Sequence, residues 1–296
     1  MNSLSIRYYL ALCILILGNA SLKAESKDEF YDKSDSIPAT VEMKKAHEKP
    51  WTIRKFSVSA GGFFPVNHTS LQMNGSANNG TSLDLEKELN FGKHTPTFLL
   101  GLNGRFGRNR VLFNYLRIHR DKDWQLEKEI VFGDNTYPVN AEINAYFNVD
   151  IYRLSYGYSF FQNKHFDVGA TFGFHLLDVD LGISVIGKSA GLNLSDSFGI
   201  PAPLPNFGIW GTYAISSKFA VTAEVDYLAL KIENIKGRIF ATDVNVQYRL
   251  SKHFDVYAGY MGLWVKVDAT RKQLDGDFKW GYNGPLVKVS YSFDHF

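Results

Sequence analysis

From Trp51 to the last residue, segments in which apolar and polar side chains alternate follow one another. In FDVGATFGFHL (166–176), Phe166, Val168, Ala170, Phe172, Phe174 and Leu176 share one side of an extended chain, and Asp167, Gly169, Thr171, Gly173 and His175 share the other. That period belongs to a β-strand. The same pattern predicts strands over 52–65, 94–107, 165–177, 206–216, 218–231, 237–250, 253–267 and 284–294. Two more, one starting at 110 and one ending near 161, would form a tall hairpin. The count is ten; one hairpin hidden in 66–93 or 121–146 would raise it to twelve, and eight stays open as the smaller alternative.

The connections between these strands alternate in kind. GRN (107–109), QNK (162–164), SSK (216–218) and SK (251–252) are short polar turns. The others, at about 66–93, 121–146, 178–205, 232–236 and 268–283, are expected to be longer. Short turns opposite long loops are the asymmetry of transmembrane barrels, whose even strand number puts both chain ends on one side.

The apolar face decides the solvent. Phe219, Val221, Ala223, Val225 and Tyr227 oppose Thr222, Glu224 and Asp226; Tyr152, Leu154, Tyr156, Tyr158 and Phe160 oppose Arg153, Ser155, Gly157 and Ser159. The apolar runs have the length of a tilted membrane strand. Aromatic residues flank the short turns, as a girdle at a membrane boundary would. The fold class expected is therefore all-β, a ten-stranded antiparallel transmembrane β-barrel over 51–296. The final strand alternates through Val287, Val289, Tyr291 and Phe293 and ends at Phe296. On strand pattern, turns and terminus, residues 51–296 resemble the small outer-membrane β-barrel superfamily, the group that includes OmpA-like and OmpW-like proteins. The resemblance implies a bacterial outer-membrane location. It carries over no functional residue.

Composition and charge sharpen this picture. YYLALCILILG (8–18) follows Arg7 and precedes small residues at Ala20 and Ala24, so residues 1–24 read as a cleaved export signal, too short to span a bilayer. Residues 25–50 carry 12 charged side chains and read as a flexible periplasmic tail. Loss of Arg7 and Lys23 with the signal leaves 30 basic against 30 acidic residues, which argues against nucleic acid as a partner. The single cysteine, Cys13, leaves with the signal, so thiol chemistry and disulfides are excluded from the mature chain. The partners expected are outer-membrane lipid, lipopolysaccharide and the barrel assembly machinery. Oligomeric state is not fixed by these features.

Candidate chemistry is sparse. The inward polar faces offer Arg105, Arg153, Asp167, Glu224, Asp226, Asp243, Arg249 and Asp255, an expected ion-pair network in a lumen that side chains can fill. His175 is expected at the outer rim. HRDKDW (119–124) invites comparison with the omptin proteases, but the Asp-x-His order of those enzymes is absent there. The histidines show no paired metal spacing, DLEKEL (84–89) is no calcium loop, and GRFGRNR (104–110) is no phosphate cradle; no metal and no cofactor is expected. The connection 178–205 is unusually apolar. Leu181, Ile183, Val185, Ile186, Leu192 and Leu194, with Pro201, Pro203 and Pro205 behind them, suggest a loop over the barrel mouth or a vestibule for small hydrophobic molecules. The main functional reading is a structural or passive-transport barrel. The alternative is a surface enzyme (lipid hydrolase or omptin-like protease) or an adhesin acting through its loops.

Overall fold

In a computed structural model, the chain is described over residues 49–296 except 74–79, 133–134, 187–193, 233–234, 272–273 and 294–296. The expected signal, nearly all of the tail, Leu192 and Phe296 lie outside the described residues. The elements are β1 (Phe56–Phe63), β2 (Val66–Met73), β3 (Ser82–Asp84), α1 (Leu85–Glu88), β4 (Thr97–Phe106), β5 (Asn109–Gln125), β6 (Ile130–Phe132) and β7 (Asn135–Tyr137). There follow β8 (Glu142–Gln162), β9 (Phe166–Val185), β10 (Ser195–Ala214), β11 (Phe219–Ile232), β12 (Ile235–Arg249), β13 (Phe254–Arg271) and β14 (Leu274–Ser292). Ten of them, β1, β4, β5 and β8 to β14, pair antiparallel in sequence order, and β14 returns to β1 to close a ring. No described helix is long and apolar enough to cross a membrane; the crossing is made by strands.

Three of the short turns share one local device. In NKHF (163–166) the Asn163 carboxamide oxygen accepts from the backbone N–H of His165 and Phe166, each at 2.8 Å. In SSKF (216–219) and SKHF (251–254), Ser216 and Ser251 do the same for the residues two and three ahead, at 3.1–3.2 Å. Such side-chain-to-backbone bonds make Asn and Ser turn formers. Each turn then launches a strand with a phenylalanine, and those rings meet aromatic neighbours across the sheet: Phe166 on Tyr213 at 4.6 Å, Phe219 on Tyr248 at 4.8 Å and Phe254 on Tyr291 at 5.0 Å.

The wall has two storeys with opposite polarity. On β8 the outward side chains Tyr158, Tyr156, Leu154 and Tyr152 give way to Asp150, Asn148 and Asn144. The inward ones, Ser159, Gly157, Ser155 and Arg153, give way to Ile151, Val149, Phe147 and Ala145. On β9 the same exchange falls between His175 and Leu177 on the inner face, and between Leu176 and Asp178 on the outer. On β13 the outward run ends at Trp264 and is followed by Lys266 and Asp268. From Phe254 to Trp264, at about 3.3 Å per residue and a tilt of about 40°, the apolar wall rises about 25 Å, the height of an outer-membrane hydrocarbon band. Below the exchange the barrel is greasy outside and polar inside. Above it the barrel is built like a soluble protein: Phe147 is 0% exposed inside it, whereas Phe172 is 50% exposed on the lower outer wall.

This exchange accounts for the differences from the sequence reading. The expected long connections 178–205, 232–236 and 268–283 are mostly strand; β9 and β10 pair continuously from Phe166↔Tyr213 to Ser184↔Ser195. Leu177, Val179, Leu181 and Ile183 alternate with Asp178, Asp180 and Ser184, and their apolar face looks inward into a core rather than outward into lipid. Val185 ends β9, and Ile186 and Leu194 flank the remaining connection. Pro201, Pro203 and Pro205 stand within β10, paired with Asp178, Leu176 and Phe174. Region 66–93 is not an open loop: β2 continues β1 along the edge of β14, from Asn283↔Val66 upward, and β3 and α1 fold back beside it. The hairpin hidden in 121–146 exists as β6–β7, but it forms a separate two-stranded sheet and the ring stays at ten.

Candidate functional site

The lower lumen is crossed by charged side chains from opposite walls. Asp167 of β9 holds Arg105 of β4 and accepts weakly from the Trp210 indole at 3.5 Å. Glu224 of β11 receives two guanidiniums, Arg110 at 2.7 Å and Arg153, and Arg153 also reaches Asp226 at 2.6 Å. Trp210, 2% exposed, lies at the centre with the Arg110 guanidinium 4.9 Å and that of Arg105 5.8 Å from its ring. The strand wall accommodates the indole because residues 157 and 169 are glycine; a Cβ on Gly157 would stand 2.8 Å from the ring. Buried ions are tolerated only when paired in this way.

Of the eight residues expected in the lumen network, Arg105, Arg153, Asp167, Glu224 and Asp226 converge on this centre. Asp243 faces the same lumen and accepts from the Asn245 carboxamide. Arg249 and Asp255 lie lower, at a floor on the end of the barrel that carries the short turns. There Asp255 pairs with Arg54 at 3.3 Å, and the Arg249 guanidinium stacks 4.0 Å from the Trp51 ring and donates to the Trp51 carbonyl at 3.1 Å. Trp51 in turn donates to the Ser216 carbonyl at 2.7 Å. Residues 52–55, expected to begin the first strand, instead cross beneath the barrel with Trp51, and β1 starts at Phe56. Arg54, Arg110 and Trp210 were not singled out in the sequence; Trp210 and Arg110 carried a signal in their inward parity on β10 and β5.

The upper lumen is closed by an apolar core. Leu83, Leu85, Leu89 and Phe91, from β3, α1 and the residue run after it, join Ile118, Phe147, Val149, Leu181, Ile183 and Trp280 in one buried cluster. One ion pair is enclosed with them. Arg120 donates to Glu86 at 2.6 Å and to the Thr69 hydroxyl at 2.6 Å, and its guanidinium lies 4.9 Å from the Phe147 ring. Burial pushes the Arg120 guanidinium below its ordinary value, with the Glu86 carboxylate opposing. Between floor and core remains a cavity of about 240 Å³ lined by Arg105, Arg153, Asp167, His175, Trp210 and Glu224, among others. His175 is therefore not at the rim. It is buried in the lumen, opposite Arg153 in register, because its odd position on β9 points inward just below the exchange.

Nothing gathers into a hydrolytic cleft around HRDKDW. His119, Asp121 and Asp123 point outward from β5, and the His119 ring meets Asp150 at 3.2 Å on the external wall. Among the described residues, no group of three or more His, Asp or Glu side chains is placed to hold a metal ion.

No family model matches this chain, and no curated protein matches it. Among solved structures, the outer membrane protease OmpT of Escherichia coli is similar with a TM-score of 0.52 at 10% identity, covering 80% of this chain and 96% of OmpT. The toluene transporter TodX of Pseudomonas putida gives a TM-score of 0.36 at 8% identity, covering 84% of this chain and 93% of TodX. Ail, the attachment invasion locus protein of Yersinia pestis, gives 0.35 at 11%, covering 80% and 97%. At such identity the likeness to OmpT is one of fold: this chain is a β-barrel of the outer-membrane type.

Proposed function

We propose that this barrel is a closed structural protein of the bacterial outer membrane, exported by a signal over residues 1–24. The tail over 25–50 then lies in the periplasm, assembly runs through the barrel assembly machinery, and the mature wall is embedded in phospholipid and lipopolysaccharide. One observation carries the reading. The lumen is filled from both ends by different chemistries, ion pairs around Trp210 below and the apolar cluster around Phe147 above. A passive channel needs a continuous polar path, and the upper core interrupts it. The protein then serves as a rigid mount that lifts a folded, polar-walled storey above the membrane surface. Most of the described part of 178–205, the stretch expected to form a vestibule, is barrel wall, which favours the structural reading over solute passage.

The reading is tested in planar bilayers with the refolded full chain. Migration on a gel that changes on boiling establishes the barrel, and the expected record shows no sustained single-channel steps. Steady ohmic conductance from heat-modifiable protein would overturn the closed reading. Folded protein that stays soluble without detergent would overturn the membrane assignment itself.

A further inference from the structure

The collar just above the apolar band is electrically lopsided. On one side, Asp150 and Asp178 are direct cross-strand neighbours on β8 and β9, with Asp180 opposite Asn148. On the other side, Arg238, Lys266 and Lys279 stand in one row across β12, β13 and β14, each paired in register with the next. All three point outward. The row directly beneath them on β12 and β13 is Phe240 and Trp264, whose rings lie 5.7 Å apart at the upper end of the apolar wall. A groove of about 480 Å³ runs over this junction, bordered also by Lys87 and Lys93 beside α1.

The cations outnumber the carboxylates that face them. Lys266 is held by Asp268 at 3.2 Å, Lys279 by Asp277 at 2.5 Å and Lys87 by Asp84 at 2.9 Å. The side chains of Arg238 and Lys93 have no ion-pair or hydrogen-bond partner among the described residues. Glu86, which also borders the groove, is already committed to Arg120. Five cations thus meet three available carboxylates, at the height where a lipid headgroup lies. Directly below are flat aromatic faces of the kind that sit at an interface. Guanidinium and ammonium groups favour phosphate oxygens, and basic clusters at a membrane surface select anionic lipid.

We propose that the groove over Arg238, Lys266 and Lys279 is a binding site for a phosphorylated glycolipid of the outer leaflet. Its phosphates meet the cation row, and its acyl chains descend over Phe240 and Trp264. The proposal rests on the outer-membrane reading given above and adds to it a defined site and a headgroup chemistry. On the opposite side Asp150 is already paired with Arg117 and His119, and Asp178 and Asp180 offer a phosphate no cation row, so the lipid takes one side of the barrel.

The test uses the refolded full chain in detergent, with diphosphoryl lipid A as the probe and native mass spectrometry as the readout. Wild type is expected to retain lipid A. Enzymatically dephosphorylated lipid A is expected to bind at least tenfold more weakly, and the R238Q/K266Q/K279Q protein to lose at least tenfold in affinity. Arg238→Gln alone, at an exposed side chain that supports no other group, is expected to lose severalfold without any effect on folding. D178N/D180N is expected to bind as wild type does. Equal binding by the triple and single variants, equal binding of the dephosphorylated lipid, or displacement by millimolar inorganic phosphate would each overturn the proposal. Heat-modifiable migration is recorded in parallel. If lipid binding fails while it persists, only the lipid site is wrong; if it is absent from wild type, the barrel reading has failed as well.

Discussion

Ile151 and Arg153 are successive inward residues of one strand, yet they face different solvents: Ile151 packs into the apolar core, and Arg153 bonds Glu224 and Asp226 in the polar lumen. The outward residues exchange character at the same height, from Tyr152 to Asp150. A single strand thus records the membrane boundary on both its faces, and a charge scan along the outer one should find it.

Leu154→Arg places a guanidinium inside the apolar band and is expected to cost about 2–4 kcal/mol. Asn148→Arg, on the same face above the boundary and opposite Asp180, is expected to change stability by less than about 0.5 kcal/mol. Urea unfolding in lipid vesicles measures both. Equal costs at the two positions would move the boundary or remove it.

Much of the lower storey was legible because lipid imposes a one-sided rule. Phe166 to Leu176 must be apolar on the outer face, so alternation alone gives strand and facing. The upper storey obeys the same period with the faces exchanged. Leu177, Val179, Leu181 and Ile183 kept the alternation with Asp178 and Asp180, but a search for an outward greasy face reads them as an apolar loop. The partners within the lumen were not legible. Parity offers Arg105 and Arg153 alike to Asp167; that Arg105 meets it, or that Arg54 takes Asp255, depends on how far apart two strands lie around the ring and on their stagger. The inward parity of each residue fixes neither.

The Arg153–Glu224 pair should show strong coupling. Glu224→Gln leaves Arg110 and Arg153 under-compensated in a buried setting, at a cost of about 3–5 kcal/mol. Arg153→Met made in the Glu224→Gln background is expected to cost less than the same change in wild type, with a coupling energy above about 1 kcal/mol. Additive effects in a double-mutant cycle would show that the two side chains do not share one network.

The prolines of β10 should act as a stop for strand pairing. Ala214 donates its N–H to His165 on the β9 side, so even positions of β10 bond to β9 and odd positions face β11. Pro201, Pro203 and Pro205 are all odd, and pairing with β11 ends at Phe207↔Tyr227. Missing donors on an exposed edge block further pairing. P203V/P205V supplies two N–H groups opposite Lys231 and Ala229 in the continued register. Hydrogen exchange at the Ala229 and Lys231 amides, which face β10 and are present in both proteins, is expected to slow at least tenfold. Unchanged exchange would mean that something other than the prolines ends the ladder.

Acid stability above the membrane should depend on Asp150. Burial by itself would raise this carboxyl, but the Tyr115 hydroxyl, donating at 2.6 Å, the His119 ring at 3.2 Å and the charge of Arg117 outweigh it and hold the group below its ordinary value. A carboxyl depressed in the folded state stabilises the fold at any pH above its unfolded value of about 4, and that contribution disappears as pH falls through the lower folded value. Wild type is therefore expected to exceed Asp150→Asn in melting temperature by a constant margin above about pH 5. The margin should shrink steadily below about pH 4. Both proteins would be melted in the same detergent across that range. A margin that stays constant down to pH 2, or grows on acidification, would show that the carboxylate is not held in its charged form by Tyr115 and His119.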